Sequence, residues 1–220
     1  MEDMEIYSYD IYNPTIVSPN SPHVIQLYQT RESLLDAESY QNFLHNAVSE
    51  FRKTRRYTNY KGFLYNLGLD RCQFHSNLTA DMVTLEMHHN MLTVYDIALI
   101  ITEHILNTYG YVTTFDVIAA LKKEHSEHHV QLVMLSKTPH QLYHDNPEFF
   151  IHPSMCIGDW ATFLRTYNQG LTQDLSFKIL FYLNEAIEKG GSDDAGLLEL
   201  REEIMDWSGL NDIQPKHNNN

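Results

Sequence analysis

The sequence predicts an α+β fold, a mostly helical single domain around a small strand–strand–helix unit whose two strands are separated by a helical insertion. Three observations lead there. Residues 83–89 (Val-Thr-Leu-Glu-Met-His-His) and 130–135 (Val-Gln-Leu-Val-Met-Leu) are short runs rich in β-branched and apolar side chains, the first with period-two alternation. Ser136-Lys137-Thr138-Pro139 then offers a turn, a threonine cap and a proline for the first helical position, so a helix is expected from about His140. Elsewhere the apolar spacing is helical, over 32–56, 92–107, 114–125, 159–168, 174–189 and 195–207, with Gly190-Gly191 and Gly209 as stops.

These elements divide the chain into three parts. Residues 1–29, rich in Tyr, Asn, Ser and Pro, are expected to be irregular. Residues 30–190 form the central domain, with the strand–strand–helix elements at 82–90 and 130–146 and the insertion at 91–129. Residues 191–220 give an acidic helix and an Asn-rich end expected to be disordered. With 220 residues, 43% of them hydrophobic, the chain is long enough for one sizeable core. Its longest apolar run, Val94 to Leu106, is broken by Asp96, Glu103 and His104, and no signal peptide precedes Ile6. A soluble, cytoplasmic protein with no membrane partner is therefore expected. Two cysteines argue against a disulfide scaffold.

Chemistry concentrates at the strand–strand–helix unit. Alternation puts Glu86 and His88 on one face of the first strand, with His89 starting the following turn. His140 and His144 stand four apart, on one face of the coming helix, at a separation suited to joint metal coordination. Convergence of His88, His140 and His144 gives three ligands and leaves coordination positions open, which is what catalytic metals keep. An all-imidazole set favours Zn, Ni, Co or Mn by ligand softness, and solvent and phosphate oxygens keep Mg in play. The expected cofactor is thus one divalent ion: Mg, Mn, Ni or Zn.

Leu85-Glu-Met-His-His89 and Gln131-Leu-Val-Met-Leu-Ser-Lys-Thr-Pro-His-Gln-Leu-Tyr-His144 resemble the two halves of the HNH, or ββα-metal, nuclease motif, closest in ligand type to the colicin DNases. The resemblance implies a metal-dependent endonuclease hydrolysing DNA, with His89 as general base and His88, His140 and His144 as ligands. It implies that Gln131, nine residues before His140, stands where the family has the Asn that ties the loop and orients the base. Glu86 stands where some members carry an acidic residue near the phosphate. The chain also resembles phage-type HNH proteins, which implies a phage-encoded protein acting in the bacterial host cell. It departs from the family in having Gln at 131, in the 51 residues from His89 to His140, and in lacking the CxxC whose positions are Ser136 and Pro139 here.

Other clusters have both chemical and bland readings. Cys72, His75, His152 and Cys156 have spacings compatible with a second, structural zinc, or are two reduced buried thiols and two surface histidines. Glu124-His-Ser-Glu-His-His129 reads as a solvated polar loop. The formal net charge is −14, which opposes binding to a polyanion. Yet residues 51–71 carry Arg52, Lys53, Arg55, Arg56, Lys61 and Arg71 against Asp70 alone, with Tyr57, Tyr60 and Tyr65 interleaved. That segment is either a nucleic-acid contact or an ordinary exposed helix end. Residues 185–217 hold nine acidic and three basic side chains, a solvated face or a contact for a protein partner. Alongside the nuclease stands a second expectation, a non-catalytic, metal-stabilised binding or assembly module with a degenerate HNH fold.

Overall fold

A computed structural model describes residues 15–16, 25–26, 28–146, 148–190 and 195–210. The expectations for most of residues 1–29 and for the Asn-rich end lie outside the described residues. The elements run β1 (Thr15–Ile16), β2 (Ile25–Gln26), β3 (Gln29–Thr30), α1 (Ala37–Lys53), α2 (Arg55–Asn66), β4 (Leu85–His89), α3 (Val94–Tyr109), β5 (Tyr111–Val112), α4 (Thr114–Ser126), β6 (Leu132–Ser136), α5 (Lys137–Asp145), α6 (Trp160–Thr166), α7 (Gln173–Gly190) and α8 (Ala195–Trp207). The fold is α+β and mostly helical.

Local sequence sets most boundaries. Asp36 caps α1 by accepting from the Ser39 amide, and Phe43, Leu44, Ala47, Val48 and Phe51 give that helix one buried stripe. Thr54, in extended backbone, both ends α1 and caps α2 through the Tyr57 amide. The 32–56 helix expected from spacing is therefore broken there, and α2 is an additional element. Thr93 with Asp96 and Thr113 with Asp116 form capping boxes that start α3 and α4. Gly110, at φ 79°, lies between them as the left-handed stop of α3.

Three two-stranded antiparallel sheets are present among the described residues: β1 with β2, β3 with β5, and β4 with β6. The last is the predicted hairpin. Leu85 pairs with Ser136, Met87 with Met134 and His89 with Leu132. α3, β5 and α4 form the insertion between its strands, and α5 follows β6 with no intervening residue. That helix begins at Lys137, three residues earlier than expected, with Pro139 in its first turn where a missing amide breaks no helical bond.

Both faces of the hairpin are covered, which explains why β6 is buried at all five positions. Leu85, Leu132 and Met134 face the main core, built from α1, α3, α4, α7 and α8. Val133 and Leu135 face a second, smaller core with Ile151, packed by Phe74, Tyr143, Phe149, Met155 and Cys156. Leu197, Leu200 and Ile204 carry α8 into the main core, so the acidic C-terminal helix is part of the domain rather than an appendage. Ile157 bridges to Leu132 beside the hairpin, and Gly158 makes the approach possible: a Cβ there would stand 2.0 Å from the Val130 carbonyl oxygen.

Candidate metal centre

Strict alternation along β4 decides where each side chain goes. Glu86 and His88 lie opposite Leu135 and Val133, on the face covered by α5, while Leu85, Met87 and His89 turn toward the main core. His88 is 8% exposed. Its ring meets His140 at 5.0 Å and His144 at 5.3 Å between centroids, and those two rings are 4.8 Å apart. Each of the three offers a nitrogen within 4.8 Å of the other two. The Nε2 atoms of His140 and His144 stand 3.4 Å apart, close to the separation of two nitrogens bound tetrahedrally at about 2.0–2.1 Å. The convergence expected from spacing is present.

Three further features fit the residues to a cation. The Nε2 of His88 is buried with no hydrogen-bond partner among the described residues, a costly state for a polar atom unless something else binds it. Glu86 accepts from His140 Nδ1, which leaves the lone pair of the neutral ring on Nε2, facing His144. A carboxylate behind a ligating imidazole is the usual outer support of such ligands. Burial, then the neighbouring His140 and His144, push His88 down to about 4, so its ring is unprotonated near neutrality and able to ligate. His144 is exposed, which leaves the cluster open on one side. Tyr143, which spacing did not single out, closes the other side with its ring 4.4 Å from His88.

His89 is placed differently from expectation. It is the last residue of β4 rather than the start of a turn, so its ring projects from the face opposite His88. There its Nε2 lies 2.9 Å from His125 Nε2, on α4. A base poised on the same side as the three ligands is not formed. The tautomers follow from the next link. His125 donates from Nδ1 to the Leu121 carbonyl at 2.7 Å, so its neutral Nε2 is an acceptor and His89 donates to it. The lone pair of His89 is left on Nδ1. Burial, then His125, holds the His89 pKa well below the ordinary imidazole range. Burial likewise pushes His125 down to about 4, against the opposing influence of Leu121 and Glu124.

The segment read as a solvated polar loop therefore needs correcting. Glu124 and His125 end α4 on its buried side, in the stripe of Val117 and Leu121. Glu124 accepts from Tyr167 at 3.0 Å and from His129 Nδ1 at 2.8 Å, with Lys123 at 3.3 Å. The signal was the apolar spacing of α4, which runs on through His125.

Gln131 braces the end of β4. Its backbone carbonyl accepts from the Asn90 amide at 3.2 Å and its Oε1 from Asn90 Nδ2 at 3.3 Å. Asn90 Nδ2 also reaches the Tyr182 hydroxyl at 2.7 Å and the Ile151 carbonyl at 3.2 Å. The longer glutamine still ties down the loop after the two histidines.

The second zinc site is not assembled. Cys72 Sγ accepts from the Ser136 amide at 3.3 Å, at one end of β6, whereas Cys156 precedes Ile157, which pairs with Leu132 at the other end. Cys156 Sγ accepts from Asn90, and burial pushes its thiol up to about 12. His152 is engaged with Ser154 and the Ala186 carbonyl. Neither cysteine nor His75 or His152 belongs to a metal-competent cluster among the described residues.

The six basic residues are sorted by their partners. Lys53 pairs with Glu50 and Arg71 with Asp70, and Lys61 donates to the Leu85 carbonyl. Arg52 lies near Tyr57. Arg55 and Arg56 line a cleft with Asn59, Tyr60, Phe63 and Ser126.

The bacteriophage G278-like virion protein family matches over residues 15–208, and the chain belongs to that family. Comparison with curated proteins and with solved structures gave no match. The family carries the phage origin; it says nothing of nuclease chemistry. No helix among the described residues is long and apolar enough to cross a membrane.

Proposed function

For a phage virion protein with this centre, we propose metal-dependent hydrolysis of DNA phosphodiester bonds, acting in the bacterial host cell. The supporting observation is the buried, unpartnered Nε2 of His88, converging with His140 and His144 on a hairpin-and-helix scaffold. His88, His140 and His144 would hold one divalent ion, Mg, Mn, Ni or Zn. Held there, the ion would supply Lewis acidity toward a phosphate.

The chain's own groups divide the remaining work. Glu86 fixes the tautomer and orientation of His140. Tyr143 packs on His88 and shields its inner side. His89, kept neutral by burial, is the general base of this reading, and because its ring lies on the face opposite the three ligands it would have to turn away from His125 to take the proton of an attacking water. Gln131 and Asn90 anchor the strand end that carries both histidines.

A second reading, a non-catalytic module stabilised by metal within the particle, is favoured by the inward placement of His89. A plasmid-nicking assay with Mg, Mn, Ni and Zn separates the two. Under the nuclease reading the wild type nicks with at least one metal, His140→Ala loses nicking together with bound metal, and His89→Ala loses nicking while keeping its metal. Wild-type inactivity with all four metals supports the module.

A further inference from the structure

The cleft beside Arg55 and Arg56 belongs neither to the hairpin nor to the three-histidine cluster. Its volume is ≈ 410 Å³, within the range of small-molecule sites. Its floor is aromatic. Phe63 lies 5.6 Å from His128 at an interplanar angle of 10°, Tyr60 lies 6.1 Å from Phe63 at 18°, and Tyr60 lies 6.0 Å from His128 at 24°. Three nearly equal separations between nearly parallel rings describe an offset cluster, not a column. Tyr60 is buried and its hydroxyl meets His128 Nδ1 at 2.9 Å, which fixes the arrangement from beneath. Phe63, stacked with Tyr60 and His128, is still 45% exposed.

The charge at the rim is opposite to that of the chain. In a protein of net −14, the charged side chains lining this cleft are two arginines, and neither makes a salt bridge among the described residues. Unpaired guanidinium groups match phosphate geometry, and a flat aromatic face accepts any base that is free of its own stack. Asn59 and Ser126 add polar groups at the same opening. A paired duplex hides its base faces, so an aromatic platform flanked by arginines selects an unpaired strand.

We propose that this cleft binds single-stranded DNA, with a base stacked on Phe63 and the flanking phosphates held by Arg55 and Arg56. The choice of DNA rests on the nuclease reading, and the stacking does not. The cleft is connected to the hairpin through packed rings: Tyr60 touches His125 at 5.9 Å, and His125 holds His89. A strand seated here is thus placed against the wall behind the paired histidines.

Fluorescence anisotropy with labelled oligothymidylate and a matched duplex, in chelator so that no cutting intervenes, tests the proposal. Wild type is expected to bind the single strand more tightly than the duplex. Phe63→Ala should weaken single-strand binding about tenfold or more, and Phe63→Trp should retain it. Arg55→Ala and Arg56→Ala should each lower the slope of log affinity against log salt by about 0.7. No single-strand binding at low salt, tighter duplex binding, or equal affinity in Phe63→Ala overturns the proposal, as does equal loss in Phe63→Ala and Phe63→Trp. Because chelator removes metal chemistry from the measurement, a protein that binds but never nicks loses the nuclease reading alone. One that nicks but ignores Phe63 loses the cleft alone.

Discussion

His88 and His89 are consecutive, chemically identical side chains on opposite faces of one hairpin. His88 faces α5 and two more imidazoles, with its inner nitrogen unpartnered. His89 faces the main core and a single imidazole, with its Nε2 engaged. Both have depressed pKa values from burial. One environment leaves a buried nitrogen without a partner among the described residues and the other satisfies its Nε2 by hydrogen bonding. Residue type and adjacency therefore do not assign chemistry; the face of the strand does.

The largest expected effect separates those two faces directly. His88→Ala should abolish stoichiometric metal binding in equilibrium dialysis, and His89→Ala should leave about one ion per chain. In the wild type, metal at a hundredfold excess over its Kd should stabilise the fold by about 2.7 kcal/mol, a rise in Tm of roughly 5–10 °C for a chain of this size. That rise should vanish in His88→Ala and persist in His89→Ala. Glu86→Gln falls between them, with affinity reduced about 10- to 100-fold because the ligand survives and only its support is lost. Equal metal loss in the two histidine variants would erase the distinction between the faces.

A second test concerns the closed face and needs no metal. Folded His125 takes up a proton only near pH 4, whereas the unfolded imidazole does so near 6.5. The unfolded state thus binds more protons inside that window, and stability falls as pH drops through it. The loss begins below about 6.5 and reaches about 3 kcal/mol by pH 4. Denaturant midpoints of the metal-free protein should track this decline. His125→Gln, which keeps a polar group on α4 but has nothing to titrate, should remove its share of the decline and leave the shares of His88 and His89, whose pKa values burial also depresses; an unchanged profile would show that His125 contributes none of it.

Much of this was legible in the sequence, and the parts that were not have definite physical causes. Alternation in 83–89 and the four-residue spacing of His140 and His144 located the hairpin, α5 and the three-histidine cluster, because both periods act through immediate neighbours. The break at Thr54 was invisible to apolar spacing, since capping is a side-chain hydrogen bond on which hydrophobicity is silent. His125 was hidden by composition: a run of Glu, Ser and His resembles solvent-facing loop, and only the buried stripe of α4 pulls Glu124 and His125 inward. The cleft beside Arg55 and Arg56 depends on α2 meeting the end of α4, a tertiary contact that no local pattern encodes.

The smallest effect is expected where sequence spacing was most misleading. Cys72 and Cys156 have intervals to His75 and His152 that suit a zinc site, yet the two thiols accept hydrogen bonds at opposite ends of β6. A thiol that burial pushes up to about 12 is protonated at neutral pH and is a poor ligand. Cys72→Ala and Cys156→Ala, singly and together, should leave metal stoichiometry at the wild-type value. Each should cost on the order of 1 kcal/mol, from a lost sulfur acceptor and a small void. Loss of one zinc per chain in either variant would show that the thiols converge after all.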